Sequence, residues 1–225
     1  MDLPLAVAAL LSYLLGSVPT GLWLGLRIRG VDIRQHGSCN IGATNTLRVL
    51  GPRLGAAALI GDISKGILAA LVVSRISPWS HAALVCGLAA ILGHTFSVFC
   101  RFRGGKGVAT SAGVFMALCP FATGLVAIVF AAVLATTRMV SAASCLAAAS
   151  LAILMVALPV GRPTAPLDLA PDDTLLRAIG VLIALLVIYR HRGNIIRIMN
   201  GTEDRLGRKR RDGDDDEQRA EHASR

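Results

Sequence analysis

The chain alternates long apolar runs with short polar segments, and several of the runs are long enough to cross a membrane. A helix needs about 20 apolar residues to span the hydrocarbon core. Short fourth and fifth runs meet at Pro120, and proline disrupts a helix interior. We therefore predict an all-α membrane protein of seven transmembrane helices, some short or kinked. The runs lie at about 3–26, 54–74, 81–99, 107–119, 121–136, 139–158 and 175–190.

The first run contains a helix-breaking residue, Pro19, between Ser17 and Gly21. We expect a kink there, with freed carbonyl groups and Ser17 turned toward a cavity.

Composition agrees with a membrane protein. Only 16% of the 225 residues are charged, whereas a soluble domain usually carries about a quarter. The net charge of +9 would suggest nucleic acid in a soluble protein. In a membrane protein, basic residues instead mark cytoplasmic loops. We expect the bilayer, and no nucleic acid, as a partner.

The distribution of basic residues predicts the orientation. With seven spans, one side of the membrane holds most of the basic residues: the arginines of 27–53, the cluster 101–106, Arg138 and the tail after Arg190. With six spans, these residues divide between two compartments. The positive-inside rule then places the C-terminus in the cytoplasm and the N-terminus outside. We predict a membrane domain over 1–204 and a disordered, charged cytoplasmic tail over 205–225.

Three polar segments fall on the predicted cytoplasmic side. The first, 37–48, reads GSCNIGATNTLR. We expect 45–50 to form a short helix capped at Thr44 or Asn45, whose N-terminus attracts an anion that Arg48 can grip. The alternative is an ordinary capped interfacial turn. The candidates for binding phosphate in this first segment are Ser38, Asn40, Thr44, Asn45 and Arg48.

The second segment, 93–110, reads GHTFSVFCRFRGGKGVAT. Its glycine loop opens into the fourth helix, so we expect the N–H groups of 105–108, Lys106 and the Thr110 hydroxyl to face one phosphate. A Walker A loop needs Ser or Thr after the lysine, where this chain has Gly107, which disfavours a nucleotide. The alternative is a basic loop for lipid headgroups. Further candidates here are Arg103, Gly104, Gly105, Gly107 and His94, of which His94 is equally compatible with a structural role.

The third segment, 190–203, reads RHRGNIIRIMNGTE. Its arginines fit a stop sequence at the membrane. His191 and Asn194 lie three residues apart on one helical face and are candidates for either a structural or a functional role. Asp62 and Lys65 also lie three apart, inside the second span, where they either serve function or neutralise each other.

Several other classes of site are excluded by their missing motifs. The chain has no HxxxxD arrangement, no GxSxG elbow, no HExxH helix and no histidine–cysteine cluster. We expect no metal and no cofactor.

The sequence resembles the acyl-phosphate-dependent glycerol-3-phosphate acyltransferases of bacteria. The matching stretches are GSCNIGATNTLRVLG (37–51), GDISKG (61–66), GHTFSVFCRFRGGKGVAT (93–110) and RHRGNIIRIMNGTE (190–203). The resemblance implies seven spans, a cytoplasmic active site, and transfer of a fatty acyl group from acyl phosphate to the sn-1 hydroxyl of glycerol 3-phosphate. It also implies phosphate and 1-acylglycerol 3-phosphate as products, in the first acylation of phospholipid synthesis at the bacterial plasma membrane. The upstream enzyme that forms acyl phosphate is a further candidate partner.

The resemblance extends to individual residues. Ser38, Asn40, Thr44, Asn45 and Arg48 match the first family motif, whereas Gly104, Gly105, Lys106, Gly107 and Thr110 match its phosphate loop. His94, His191 and Asn194 match further active-site positions. Three departures are Cys39 for glycine, Ser97 for proline and Gly193 for an acidic residue.

We hypothesise two anion subsites, one at Lys106 with the glycine loop and one at Ser38 and Arg48. The proton acceptor is left open between His191, His94 and the oxygen of the acyl phosphate. Rival interpretations are an anion or phospholipid transporter and a lipid-binding scaffold; the first predicts access from both faces and a pseudo-repeat.

Overall fold

The computed structural model describes residues 3–157 and 173–207, and within these ranges the chain forms helices and no β-strand. The all-α class is therefore confirmed. The α-helices are α1 (Leu3–Ser17), α2 (Thr20–Leu24), α3 (Ala43–Leu50), α4 (Pro52–Leu71), α5 (Ala82–Thr95), α6 (Val108–Leu118), α7 (Pro120–Thr137), α8 (Val140–Ala157), α9 (Asp173–Arg190) and α10 (Arg192–Met199).

The described helices include four that are long and apolar enough to cross a membrane: Pro52–Ile76, Ala82–Cys100, Pro120–Thr137 and Val140–Ala157. Two bent pairs, α1 with Thr20–Arg29 and α9 with α10, raise the count to six if each pair is one span. Helix α6 has 11 residues. It is therefore about 16 Å long, well short of the roughly 30 Å hydrocarbon core. The seven-span count stays a prediction.

The predicted kink at Pro19 is confirmed. Helix α1 ends at Ser17, α2 begins at Thr20, and the two halves diverge by 45°. The carbonyl of Val18 accepts a hydrogen bond of 3.1 Å from Lys65 Nζ. Ser17 was expected to face a cavity, and this is wrong. Its hydroxyl is buried against α5 and donates to the Gly93 carbonyl at 3.3 Å.

Helix α5 packs tightly against α1 because both helices carry glycine where they cross. A Cβ at Gly16 would overlap the backbone of Ala90, and one at Gly93 would overlap the carbonyl of Tyr13. Close helix approach at small residues is a usual packing mode in membranes. The contact fixes the C-terminal end of α5, which carries His94.

The main apolar core lies where α5 and α6 meet α8 and α9. Helix α7 contributes little to it, since most of its side chains are outside the core. The core is formed chiefly by Leu84, Ile91, Phe115, Leu118, Leu151, Met155, Leu176 and Ile183.

The predicted tail, residues 205–225, falls almost entirely outside the described residues. The boundary of the membrane domain at residue 204 therefore stays a prediction.

Candidate active site

A cavity of about 410 Å³ lies between α4, α6, α7, α8 and α9. One end is polar and is formed by the loops that flank α3, α6 and α10. The rest is apolar and runs between helices. The apolar walls include Phe115, Met116, Val126, Phe130, Ala147, Leu151, Ile183 and Val187.

The structure brings most of the predicted site residues together at the polar end. Four lie outside the cavity lining: Arg103, Gly104, Gly105 and Thr110. Those in the lining are Ser38, Asn40, Thr44, Asn45, Arg48, His94, Lys106, Gly107, His191 and Asn194.

The glycine loop owes its first two glycines to packing. The N–H groups of Gly104 and Gly105 donate to the carbonyls of Thr95 and His94 at 3.1 and 3.0 Å. A Cβ at Gly105 would overlap the His94 ring. The expectation that the Gly105 N–H faces a phosphate is therefore wrong, because a backbone carbonyl already occupies it.

Gly107 has a conformational role. Its φ of 81° lies in the left-handed region, and it is the N-cap of α6. The first N–H groups of a helix have no intrahelical partner. The loop therefore delivers Lys106 and the start of α6 to the cavity.

Ser111 of α6 lines the cavity, whereas Thr110 does not. Thr110 is fully buried outside the lining, on the side of α6 that faces Gly66 of α4. The next residue is rotated by about 100° around a helix. Ser111 therefore lines the cavity, and its hydroxyl has no hydrogen-bond partner among the described residues.

Arg190 links the end of α9 to the glycine loop. Its Nη2 donates to the carbonyls of Gly104 and Gly105 at 3.3 and 3.1 Å. Its guanidinium also lies 5.9 Å from the centre of the Phe96 ring. The loop is thus held from both α5 and α9.

Lys106 belongs to a chain of hydrogen bonds that joins three segments. Its Nζ donates to Asn194 Oδ1, and Asn194 Nδ2 donates to Glu203 Oε1 at 2.7 Å. Glu203 also accepts from the Ser141 hydroxyl at 2.7 Å and from Arg197 Nε at 2.8 Å. The candidates selected from the sequence omit Glu203. Its signal in the sequence was its position at the end of the stretch 190–203 that resembles the family.

Burial changes the ionisation of this chain of groups. Burial lowers the pKa of Lys106 to about 8, although the nearby Glu203 carboxylate opposes the change. For Glu203, burial raises the pKa, but hydrogen bonds from Ser141, Asn194 and Arg197 outweigh it, so the pKa is lowered overall. Lys106 is thus a cation in neutral solution that loses its proton in mildly basic solution.

His191 presents an unprotonated nitrogen. Its Nδ1 lies 2.8 Å from the Val187 carbonyl, which can only accept, so Nδ1 carries the proton. Nε2 of the neutral ring is then free to accept. His191 lines the cavity next to the Lys106–Asn194 pair.

His94 lies in a buried charged cluster below the glycine loop. Its Nδ1 is 2.8 Å from Lys65 Nζ, which forms an ion pair of 2.9 Å with Asp62. Asp62 also accepts from the Thr20 hydroxyl at 3.1 Å. Asp62 and Lys65 therefore neutralise each other, and His94 is held between them and Gly105.

Asn45 organises the first polar loop. Its Nδ2 donates to the carbonyls of Ile33, His36 and Asn40 at 2.8, 3.1 and 2.8 Å. Its Oδ1 accepts from the N–H of Ser38 at 2.9 Å. These contacts occupy the side chain, so it shapes the loop.

Helix α3 begins earlier than expected. The expected cap at Thr44 or Asn45 is wrong, because the N-cap is Gly42 and the helix begins at Ala43. The Gly42 N–H already donates to Asn40 Oδ1 at 2.9 Å, which turns the chain into the helix. Arg48 pairs with Asp204 at 3.4 Å.

Cys39 adopts a backbone conformation that favours glycine. Its φ is 55°, in the left-handed region. Such a conformation costs a residue with a Cβ about 1–2 kcal/mol. The departure from glycine at this position therefore places strain at the rim of the cavity, between Ser38 and Asn40.

The profile of the family described as "Glycerol-3-phosphate acyltransferase" matches residues 6–201. The chain belongs to this family. A glycerol-3-phosphate acyltransferase from Fusobacterium nucleatum is 43% identical over 196 residues, which cover 87% of this chain and 95% of the relative. The one from Desulforudis audaxviator is 46% identical over 198 residues, covering 87% and 92%.

Two crystal structures are similar to this acyltransferase. Both are of PlsY (YgiH), described as an integral membrane glycerol 3-phosphate acyltransferase. The glycerol 3-phosphate form has a TM-score of 0.76 at 37% identity and covers 90% of this chain and 96% of that one. The lysophosphatidic acid form has a TM-score of 0.73 at 36% identity, with 90% and 95% covered. The chain is thus an integral membrane acyltransferase of phospholipid synthesis.

Proposed function

We propose that the protein transfers a fatty acyl group from acyl phosphate to the sn-1 hydroxyl of glycerol 3-phosphate, giving 1-acylglycerol 3-phosphate and phosphate. The observation that carries the proposal is the single cavity that joins a cationic polar end to an apolar groove between helices. An acyl phosphate has the same two parts. The glycerol 3-phosphate and lysophosphatidic acid forms of PlsY support the acceptor and the product.

Two groups of residues at the polar end fit two phosphates. Lys106 and the first turn of α6, which is followed by Ser111, form one group. Arg48, Ser38 and Thr44 form the other. Cations and helix N-termini both favour phosphate. Because the two groups line one cavity, both phosphorylated substrates can be held with the hydroxyl next to the acyl carbonyl.

The chemistry requires no protein nucleophile. The glycerol 3-phosphate oxygen attacks the acyl carbonyl carbon, its O–H proton leaves, and the bond from that carbon to the phosphate oxygen breaks. The departing phosphate takes the electron pair of that bond. The proton passes either to His191 Nε2 or to an oxygen of the acyl phosphate. Lys106 stabilises negative charge that develops as the phosphate leaves.

Within this proposal, the predicted site residues divide into those near the reacting groups and those that hold loops in place. Lys106, Asn194, His191 and Ser111 are the groups nearest the chemistry. Asn45 acts through the loop that it holds, since its amide atoms contact other protein groups. His94 is held through its Nδ1, which contacts Lys65.

The orientation forms part of the same proposal. We propose that the polar end faces the cytoplasm of a bacterial cell and that the N-terminus lies outside, because basic residues mark cytoplasmic loops and surround this end. Soluble glycerol 3-phosphate then reaches the cavity from the cytoplasm. The enzyme that supplies acyl phosphate would act on the same side.

The test is an assay of the purified protein with glycerol 3-phosphate and either palmitoyl phosphate or palmitoyl-CoA. We expect product when palmitoyl phosphate is the donor and none when palmitoyl-CoA is the donor. For Lys106→Ala, we expect kcat/KM to fall by at least about 100-fold. The Arg101→Ala variant, which changes an exposed residue of the same loop, is the control. Product with palmitoyl-CoA as the donor, and none with palmitoyl phosphate, would overturn the donor assignment.

A further inference from the structure

The apolar part of the cavity ends abruptly at one level of the helix bundle. On three of its helices, the lining residues furthest from the polar end are Phe115 and Met116 of α6, Leu151 of α8 and Ile183 of α9. One turn further from the polar end, Leu118 and Met155 are fully buried and outside the lining. The cavity therefore has a packed floor and is not a passage through the bundle. This closed end also argues against transport.

Phe115 is the largest side chain at this floor. Only 2% of its surface is exposed, although it lines the cavity. Its position is fixed from behind by Gly180 of α9. A Cβ added at Gly180 would lie 2.7 Å from Met155 Cγ and 3.6 Å from the edge of the Phe115 ring. No room is left for the ring to move away from the cavity without displacing α9.

The distance from the polar end to the floor follows from helix geometry. Ser141 bonds Glu203 at the polar end, and Leu151 lies at the floor of the same helix. Ten residues of helix rise about 15 Å. Carbon–carbon bonds of about 1.5 Å project to about 1.25 Å each in an extended chain, so about a dozen carbons reach this level. Longer chains must contact the floor or bend toward the bilayer at Met116, which is 47% exposed.

We propose that Phe115, held from behind by Met155 and Gly180, sets the acyl-chain length that the enzyme prefers. The proposal rests on the function proposed above, because it requires a fatty acyl donor in the groove. Removing the ring deepens the groove, whereas a methyl group at Gly180 overlaps Met155, which must shift and crowd the ring toward the groove. The two substitutions therefore move chain-length preference in opposite directions.

The experiment measures kcat/KM for saturated acyl phosphates of increasing length with glycerol 3-phosphate. For Phe115→Ala, we expect the preference to move to longer chains, by about fourfold in relative kcat/KM for each additional methylene buried. Phe115→Leu should move it by less in the same direction, and Gly180→Ala should move it toward shorter chains. Leu118→Ala is the matched control, since it removes buried volume below the floor, and its chain-length profile should equal that of the wild type.

Two failures are distinguishable. A wild-type protein that is inactive with every acyl phosphate contradicts the proposed function. An active wild type whose profile is unchanged in Phe115→Leu and Gly180→Ala contradicts only the floor, and places the end of the acyl chain in the bilayer. If the Phe115→Ala protein does not fold, the chain-length profiles of Phe115→Leu and Gly180→Ala decide whether Phe115 sets the preferred chain length.

Discussion

The ammonium group of Lys106 donates a hydrogen bond to the amide oxygen of Asn194, which lies 88 positions further along the chain. This contact joins the loop before α6 to the start of α10. Because Asn194 is itself fixed by Glu203, the lysine is aimed at the cavity by two segments at once. In the proposed function, the cation that would bind phosphate is thus pre-positioned before substrate arrives, which reduces the ordering cost on binding.

The lowered pKa of Lys106 predicts a pH dependence. The lysine is a cation below its pKa and neutral above it, and burial brings that pKa to about 8. We expect kcat/KM to fall as pH rises through about 8, because the phosphate loses its cation. An arginine stays charged in this range. In Lys106→Arg the fall should move to higher pH, even if its maximal rate is lower. A fall at the same pH in both proteins would contradict the assignment.

The close contact between Gly105 and the His94 ring predicts that a side chain added at Gly105 disrupts packing. In Gly105→Ala the new Cβ meets the His94 ring, which is itself held by Lys65. We expect a loss of about 1–3 kcal/mol in the free energy of unfolding and a raised KM. Gly124→Ala is the control, since nothing lies within 4 Å of its new Cβ. Thermal unfolding in detergent checks both. Equal stability in the two variants would show that the loop does not depend on this close contact.

The buried pair of Asp62 and Lys65 predicts an asymmetry between single and double variants. Lys65→Met leaves the Asp62 carboxylate buried without its cation, which should cost about 3–5 kcal/mol in the free energy of unfolding. Adding Asp62→Asn removes the uncompensated charge and should recover much of that loss. The measurement is unfolding of both variants in the same detergent. A double variant less stable than Lys65→Met would contradict this description of the pair.

The left-handed backbone at Cys39 predicts that glycine at this position increases the stability of the protein. Cys39→Gly removes a Cβ from a left-handed residue and should stabilise the loop by about 1 kcal/mol, after the entropy cost of glycine. Cys39→Ala keeps a Cβ and serves as the control, with no gain expected. Thermal unfolding and the KM for glycerol 3-phosphate report the effect. An equal gain in both variants would point to the thiol and not to the backbone.

The sequence predicted the helices well because apolar runs and prolines act locally. The break at Pro19 and the division at Pro120 follow from the geometry of proline alone. Glycine is different, since one residue type serves several purposes. Gly104 and Gly105 permit close packing against α5, whereas Gly107 supplies a left-handed turn, and spacing alone does not separate these roles.

The same limit applies to polar side chains. Asn45 has the chemistry of a phosphate ligand, but three loop carbonyls and one N–H group occupy it. Those partners are set by the tertiary fold. Glu203 and Ser141 meet from segments 62 positions apart, and nothing in the sequence indicates that contact. The fourth apolar run forms an α6 of 11 residues, which is too short to cross the hydrocarbon core by itself.

The most direct test of the account follows both products of one reaction. The purified protein is given palmitoyl phosphate and glycerol 3-phosphate without coenzyme A, and phosphate and acylated product are measured together. We predict one phosphate released for each 1-palmitoylglycerol 3-phosphate formed, with neither released when glycerol 3-phosphate is omitted. Phosphate release without the acylated product, or product formed only after palmitoyl-CoA is added, would contradict the account.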